Sequence, residues 1–174
     1  GQTPRTEIYS YGQRNPQGLA LHPETGDLFE SEHGPRGGDE INLIEAGKNY
    51  GWPLITYGRE YSGPKIGATA KAGLEQPLKY YVPSIAPSSL IIYSGKKYSE
   101  FKNAFIQGAL VLQHLNIVTT ELDSKAKGAA RYKFGPELRL FGGMNQRIRN
   151  VGESPSGEIY FSTDSGLIFR VDRK

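Results

Sequence analysis

The segment from Glu32 to Leu43 has the highest density of residues that could bind a ligand. Its glycines and its proline allow sharp turns that present backbone carbonyls, and Glu32, Asp39 and Glu40 add carboxylates. Carbonyl and carboxylate oxygens are the ligands that a hard cation such as calcium prefers. A charged surface turn has the same composition, so the segment predicts either a calcium-binding turn or a solvated loop.

Arg147 and Arg149 stand two residues apart near the end of the chain. If this stretch is a strand, both side chains lie on the same face. A planar guanidinium binds a carboxylate through two parallel hydrogen bonds, so the pair suits a polyanionic ligand, and a solvated strand face is the alternative. Arg14 and Asn15, in a loop with proline and glycine, offer similar donors to an oxygen-rich ligand.

The three histidines, His22, His33 and His114, do not have the spacing of a zinc site, and the chain has no cysteine. His33 is a candidate general base or an ordinary hydrogen-bonding residue of the acidic loop. The 21 basic and 18 acidic side chains are interspersed, which argues against a nucleic-acid partner. No apolar run reaches the ~18–20 residues of a membrane span.

Short apolar segments between turn residues predict an all-β chain that positions these groups. Residues 18–32 and 148–164 share one pattern, a strand, a turn with proline and glycine, and a second strand, which indicates blade-like repeats. At ~40–50 residues per blade, the chain holds three to four blades. Residues 51–76 are expected to form a long functional loop. Further strands are expected at 90–93, 104–107, 109–112, 116–122 and 166–171.

Four segments, in their order and spacing, resemble the soluble pyrroloquinoline-quinone aldose sugar dehydrogenases of the glucose/sorbosone dehydrogenase family. These segments are Arg14–Gly18, Glu32–Asn42, Gly47–Pro53 and Gln146–Arg149. The resemblance implies a six-bladed β-propeller, of which residues 1–174 form the C-terminal half, about three blades of one domain. An open half-ring leaves sheet edges exposed, so the N-terminal half of the same propeller is the expected partner. The resemblance also implies export, and therefore a periplasmic or extracellular location.

The resemblance further implies pyrroloquinoline quinone and Ca²⁺ as cofactors and an aldose sugar as the substrate, oxidised at its anomeric hydroxyl to a lactone. The electron acceptor stays open. The cofactor-binding residues that it implies are Arg14, Asn15, Tyr61, Ala109, Leu110, Arg147 and Arg149. Gly34 and Pro35 would bind the cofactor's calcium through their carbonyls, and Glu40 and Tyr50 would bind a second, structural calcium. The base histidine of the family precedes the matched stretch, so the chain is expected to lack the catalytic base and to be inactive alone.

Val111 departs from the family pattern, because the family has a lysine after Gly-Ala-Leu at this position. Loss of that cation is expected to weaken cofactor binding or to alter the cofactor's electronics. The segment 80–84 also differs from its family counterpart, which leaves the sugar open. Two other functions therefore remain: a non-catalytic propeller that binds a ligand or a protein partner, and a calcium-stabilised structural module.

Overall fold

The computed structural model describes residues 7–173, and within them eleven strands form three antiparallel sheets. The first sheet contains β1 (Pro16–Leu21), β2 (Leu28–Glu32), β3 (Asp39–Ile44) and β4 (Lys79–Tyr81). The second contains β5 (Pro87–Ile92), β6 (Phe105–Ala109), β7 (Leu115–Leu122) and β8 (Tyr132–Leu140). The third contains β9 (Ile148–Glu153), β10 (Ile159–Thr163) and β11 (Ile168–Arg170). Short 3₁₀ turns lie at Ser99–Phe101, Gly128–Arg131 and Gly142–Met144.

Each sheet is a meander in which strands that follow one another in sequence are also hydrogen-bonded neighbours. The sheets stack through their first strands, because β1 lies against β5 and β5 lies against β9. A Cβ atom on Gly18 would lie 2.5 Å from the backbone nitrogen of Leu90. Glycine at this position therefore allows β1 to approach β5 closely.

Two apolar cores hold the three sheets together, one on each face of the second sheet. The core between the first and second sheets contains Phe29 and Phe105, whose rings meet edge to face with centroids 4.8 Å apart. The core between the second and third sheets contains Ile106, Ile117 and Phe161. Alternation along β6 supplies one core with Phe105 and the other with Ile106, as expected for a strand buried on both faces.

The outer faces of the first and third sheets expose large apolar side chains. Leu19 and Leu21 of β1 are 65% and 66% exposed, and Ile168 of β11 is 77% exposed. Leu19 lies opposite Glu30 and Leu21 lies opposite Leu28, so both leucines are on the face that points away from the second sheet. Both ends of the stack thus present a surface on which another sheet could pack.

Most of the strands predicted from the sequence are confirmed, and one prediction is wrong. In the segment 109–112 only Ala109 belongs to a strand, because the N–H groups of Leu110 and Val111 donate to the carbonyls of Ala86 and Ile85 and turn the chain. The predicted loop 51–76 contains no strand. No helix in the part of the chain that the structure describes has the length and apolar character needed to cross a membrane.

Candidate functional site

The turn between β2 and β3 is fixed by Asp39, the first residue of β3, which is fully buried. Its Oδ1 accepts a hydrogen bond from the N–H of Gly34 at 3.0 Å. Its Oδ2 accepts from the N–H groups of Ile85 and Ala86 at 2.8 and 3.0 Å, and from the hydroxyl of Ser84 at 2.7 Å. Asp39 therefore positions the turn against the loop before β5.

Arg14 and Asn15 are held against the same turn by hydrogen bonds. The Glu32 carboxylate accepts hydrogen bonds from the backbone N–H groups of Arg14 and Asn15, the second at 2.9 Å. The guanidinium of Arg14 donates to the carbonyls of His33 and Gly34, each at 3.0 Å. Glu32 thus positions the loop, and Arg14 places a positive charge beside the Gly34 carbonyl, which the family resemblance implies as a calcium ligand.

A cavity of about 790 Å³ opens between this turn, the long loop and the turn after β6. Among the predicted site residues, the structure brings five to its wall, namely Gly34, Pro35, Tyr61, Leu110 and Arg147. The other lining residues are His33, Arg36, Gly37, Arg59, Val82, Pro83, Ser84, Ala86 and Val111. The wall thus combines the Gly34–Pro35 turn, three arginines and an apolar surface, and no acidic residue between positions 7 and 173 lines it.

Four predicted cofactor residues lie outside this wall, namely Arg14, Asn15, Ala109 and Arg149. Ala109 is fully buried in the core between the first two sheets. The side chain of Asn15 is exposed and accepts a hydrogen bond from Gln17 at 3.0 Å. Arg14 lines a much smaller cavity that Glu40 and Tyr50 also line. The roles of all these residues remain predictions.

Arg147 and Arg149 converge on one carboxylate, that of Asp164. The Nε of Arg147 lies 2.9 Å from Oδ2 of Asp164, and the Nε and Nη2 of Arg149 lie 2.7 and 3.0 Å from its Oδ1 and Oδ2. Hydrogen bonds from Arg149 and then Arg147 lower the pKa of Asp164 to about 2. The pair therefore binds a carboxylate side by side, and sequence reasoning missed Asp164 because its partners lie 15 and 17 residues earlier.

His33 is half-buried at the cavity wall, and its Nε2 lies 2.7 Å from the carbonyl oxygen of Pro87. Because a carbonyl only accepts, Nε2 carries a proton, and in the neutral ring Nδ1 is then the acceptor. His22 and His114 are buried, and burial lowers the pKa of both imidazoles. Neither of these two histidines lines the cavity.

Three carboxylates, those of Glu30, Glu32 and Glu40, lie close together on the outer face of the first sheet, next to Asn42. The register places Glu30 opposite Asn42 and Glu32 opposite Glu40, so all four share one face. The amide nitrogen of Asn42 lies 3.3 Å from both Glu30 and Glu40. Tyr50 and residues of the long loop line the space beside the cluster.

Burial and mutual repulsion keep these carboxyl groups from ionising easily. Burial first, and the charge of Glu32 second, raise the pKa of Glu40 to about 7 and also raise the pKa of Glu30. Oε1 of Glu30 and Oδ1 of Asn42 are buried, and neither has a hydrogen-bond partner among the described residues. Over residues 7–173 no three acidic or histidine side chains are arranged to hold a metal by themselves. A cation here would need backbone carbonyls as further ligands.

Comparison with known proteins adds independent findings. The family described as Glucose / Sorbosone dehydrogenase matches residues 1–170. The aldose sugar dehydrogenase YliI of Escherichia coli (strain K12) is 40% identical over 172 residues, which cover 96% of this chain and 44% of that protein. The chain thus spans less than half the length of this relative.

Solved structures match the same architecture. A crystal structure of a glucose dehydrogenase is 42% identical with a TM-score of 0.86, and the match covers 98% of this chain and 48% of the other. The PQQ-bound aldose sugar dehydrogenase (Adh) of Streptomyces coelicolor is 25% identical with a TM-score of 0.62, over 88% of this chain and 38% of the other. The predicted fold class is therefore confirmed, since the three sheets are blades of part of a β-propeller.

Proposed function

Because the chain belongs to the glucose/sorbosone dehydrogenase family, we propose that it forms the C-terminal half of a quinone-dependent aldose sugar dehydrogenase and contains most of the cofactor site. One observation carries the proposal. The 790 Å³ cavity brings the Gly34–Pro35 turn and Arg147, which are far apart in sequence, to one wall beside an apolar surface. A flat, polycarboxylated quinone needs such a combination of guanidinium donors, calcium-binding carbonyls and apolar contact.

The residues present fit that cofactor in distinct ways. The carbonyls of Gly34 and Pro35 would bind calcium, and Asp39 holds the Gly34 end of the turn rigid. Arg147 and Arg149 would bind a carboxylate of the quinone, since they already bind one carboxylate together. Leu110 anchors this arrangement, because its carbonyl accepts a hydrogen bond from Arg147 at 3.1 Å.

When bound, the quinone would supply the two-electron acceptor and calcium the Lewis acid for oxidation of an aldose to a lactone. His33 has its Nε2–H fixed on Pro87, so its Nδ1 can accept a hydrogen bond from a ligand in the cavity. Val82, Pro83 and Ala86 line the same cavity and would exclude water from that ligand. The base that removes the substrate proton is assigned to the N-terminal half of the propeller, so the chain alone is expected to be inactive.

The exposed apolar faces support the assignment to half of a propeller. Leu19 and Leu21 at one end of the stack and Ile168 at the other present apolar surface of the kind that the sheets bury between them. Packing of further blades against both ends would remove this surface from water. We assign these contacts to the N-terminal half of the same protein, in a periplasmic or extracellular location with an electron acceptor still to be identified.

A second, structural calcium is proposed beside Glu40 and Tyr50. Its support is the cluster of buried carboxylates, in which Oε1 of Glu30 and Oδ1 of Asn42 lack hydrogen-bond partners among the described residues. Buried carboxylates that repel one another are destabilising unless a cation neutralises them. The carbonyl of Tyr50 would complete the ligand set from the side of the long loop.

The proposal is tested by titrating the full-length protein with pyrroloquinoline quinone in the presence of calcium and following the cofactor's absorption. Arg147→Gln removes a charged donor from the cavity wall, so we expect the dissociation constant to rise by about 10-fold or more. Arg139→Gln is the matched control, because Arg139 lies on β8, outside the cavity wall, and its guanidinium donates to Glu137. Wild-type protein that shows neither saturable quinone binding nor aldose oxidation with an artificial acceptor would refute the proposal.

A binding-only propeller is the second candidate, and Val111 favours it. This valine lines the cavity and is 57% exposed at the position where the family has a lysine. A binding-only protein would show saturable ligand binding but no turnover with any aldose. Val111→Lys separates the two functions, since it should tighten quinone binding only if the quinone occupies this cavity.

A further inference from the structure

Arg36 and Arg59 form a pair across the mouth of the cavity. The N–H of Arg36 donates to the carbonyl of Arg59 at 3.0 Å, and the N–H of Arg59 donates to the carbonyl of Arg36 at 3.3 Å. Residues that exchange both hydrogen bonds lie directly opposite each other in an antiparallel ladder, and their side chains share one face. The backbone thus directs both arginine side chains to the same face, and the guanidinium of Arg59 also donates to the carbonyl of Gly63 at 3.5 Å.

Lys65 extends this pair to three cations. It bridges Arg59 on the side away from Arg36, again in antiparallel orientation, so Arg36, Arg59 and Lys65 form one row across three extended segments. We call these three residues the basic row. Arg36 and Arg59 line the 790 Å³ cavity, and Arg59 and Lys65 line a neighbouring cavity of about 420 Å³.

The packing of glycines holds the row in place. A Cβ atom on Gly38 would lie 2.3 Å from the backbone nitrogen of Gly58, and one on Gly58 would lie 2.4 Å from the carbonyl oxygen of Gly37. Only glycines allow the turn after β2 and the long loop to approach this closely. Gly38 also has a φ of 75°, which other residues rarely adopt.

The basic row has no counter-charge in the part of the chain that the structure describes. None of its three side chains forms an ion pair there, and neither cavity is lined by an acidic residue. Arg36, Arg59 and Lys65 are all exposed. Like charges directly opposite each other in a ladder are destabilising, so the row weakens the fold locally and suits an anion.

We propose that the basic row binds the carboxylate or phosphate group of an anionic sugar that enters the cavity. This inference rests on the proposed function and names its substrate class as acidic aldoses. Tyr61 lines the same cavity and is 72% exposed, so it offers an aromatic surface for the ring of such a sugar. Arg147 is assigned to the cofactor and not to the sugar, because Asp164 and the carbonyl of Leu110 orient its guanidinium.

The test compares glucuronate and glucose 6-phosphate with glucose, using full-length protein loaded with quinone and calcium and an uncharged electron acceptor. In the double variant Arg36→Gln and Arg59→Gln, kcat/KM for the two anionic sugars should fall by about 10-fold or more, since charged hydrogen bonds are lost. The value for glucose should stay within about 2-fold. Lys71→Gln is the control, because Lys71 lies exposed in the same long loop but outside the row.

Parallel measurements separate this inference from the proposed function. The quinone dissociation constant should be unchanged in the double variant. If quinone affinity fell as much as kcat/KM for the anionic sugars, the basic row would bind the cofactor, and the inference would be overturned. If the double variant lost activity only with an anionic electron acceptor such as ferricyanide, the basic row would bind the acceptor, and the inference would be overturned. If the wild type binds no quinone, the proposed function fails, and calorimetric titration with glucuronate and glucose still tests the row. Equal binding of the two sugars, or none, would refute the inference.

Discussion

The middle strands of the first and second sheets bury opposite kinds of residue at comparable places. In the second sheet, Ile106 of β6 lies opposite Ile117 of β7, and both side chains pack into the core toward the third sheet. In the first sheet, Glu30 of β2 lies opposite Asn42 of β3, and both are just as inaccessible to water. One pair of middle strands thus buries isoleucines and the other buries a carboxylate and an amide.

This difference indicates what each sheet contributes. A buried isoleucine stabilises the fold, whereas a buried carboxylate without full hydrogen bonding costs free energy. The second sheet is therefore the structural centre of the described chain. The first sheet contributes less stability on its outer face, where the carboxylates lie beside Tyr50 and the long loop. The comparison predicts that substitutions in the two sheets respond differently to pH and to calcium.

The largest effect is expected in the second sheet. Ile106→Ala would leave a cavity at a fully buried position, so we expect the free energy of unfolding to fall by about 2–5 kcal/mol. Denaturant unfolding of the full-length protein measures this loss, which should be the same with and without calcium. Ile8→Ala is the control, because Ile8 is 86% exposed. If calcium abolished this loss in the free energy of unfolding, the stability of the second sheet would depend on the ion, and the contrast between the two sheets would be wrong.

The face of the first sheet that carries Glu30, Glu32 and Glu40 is expected to differ from the second sheet, because its stability should depend on pH when calcium is chelated. The folded protein raises the pKa of Glu40 from 4.5 to about 7, so between these values it holds a proton that the unfolded chain has released. Stability without calcium should therefore fall as the pH rises through this window, by at most about 3 kcal/mol. Glu40→Gln carries no charge and should remove this part of the pH dependence.

Unfolding in chelator at pH 5 and at pH 8 measures the effect. Glu121→Gln serves as the control, because Glu121 is exposed near the end of β7. Equal slopes of stability against pH in the wild type and in Glu40→Gln would show that Glu40 ionises as readily in the folded as in the unfolded protein. The contrast between the two faces would then lose its electrostatic basis.

The sequence was informative where neighbouring residues decide the structure. β2 and β9 lie within the two stretches, 18–32 and 148–164, that were predicted as strand, turn and strand, because turn residues define these short elements locally. The segment that contains β3 was interpreted as a calcium-binding turn or a charged surface turn, and its strand was missed, since its glycines and carboxylates mask the apolar alternation of Ile41 and Leu43. β8 was missed because most of its residues are exposed and no apolar pattern marks it.

The candidate site, like the fold, could be predicted only in part from the sequence. The resemblance named Gly34, Pro35 and Arg147, and the structure places all three at one cavity. Asp39 and Asp164 were not identified in their positioning roles, because their partners lie far away in sequence. The pairing of Arg36 with Arg59 depends on the path of the long loop, which has no periodicity from which it could be predicted.

The smallest expected effect sharpens the comparison most, because it depends on the proposed second calcium. Calcium binds the ionised form of Glu40, so its affinity should rise as the pH passes about 7, where this carboxyl loses its proton. Thermal unfolding of the full-length protein with and without calcium should show a shift in Tm that is larger at pH 8 than at pH 6 by about 2–4 °C.

Quinone-free protein serves for this measurement, so that the calcium bound with the cofactor does not contribute. In Glu40→Gln the shift should shrink and lose its pH dependence. A shift that is equal at both pH values in the wild type would place the ion away from the carboxylates, and the polar face of the first sheet would then need another explanation.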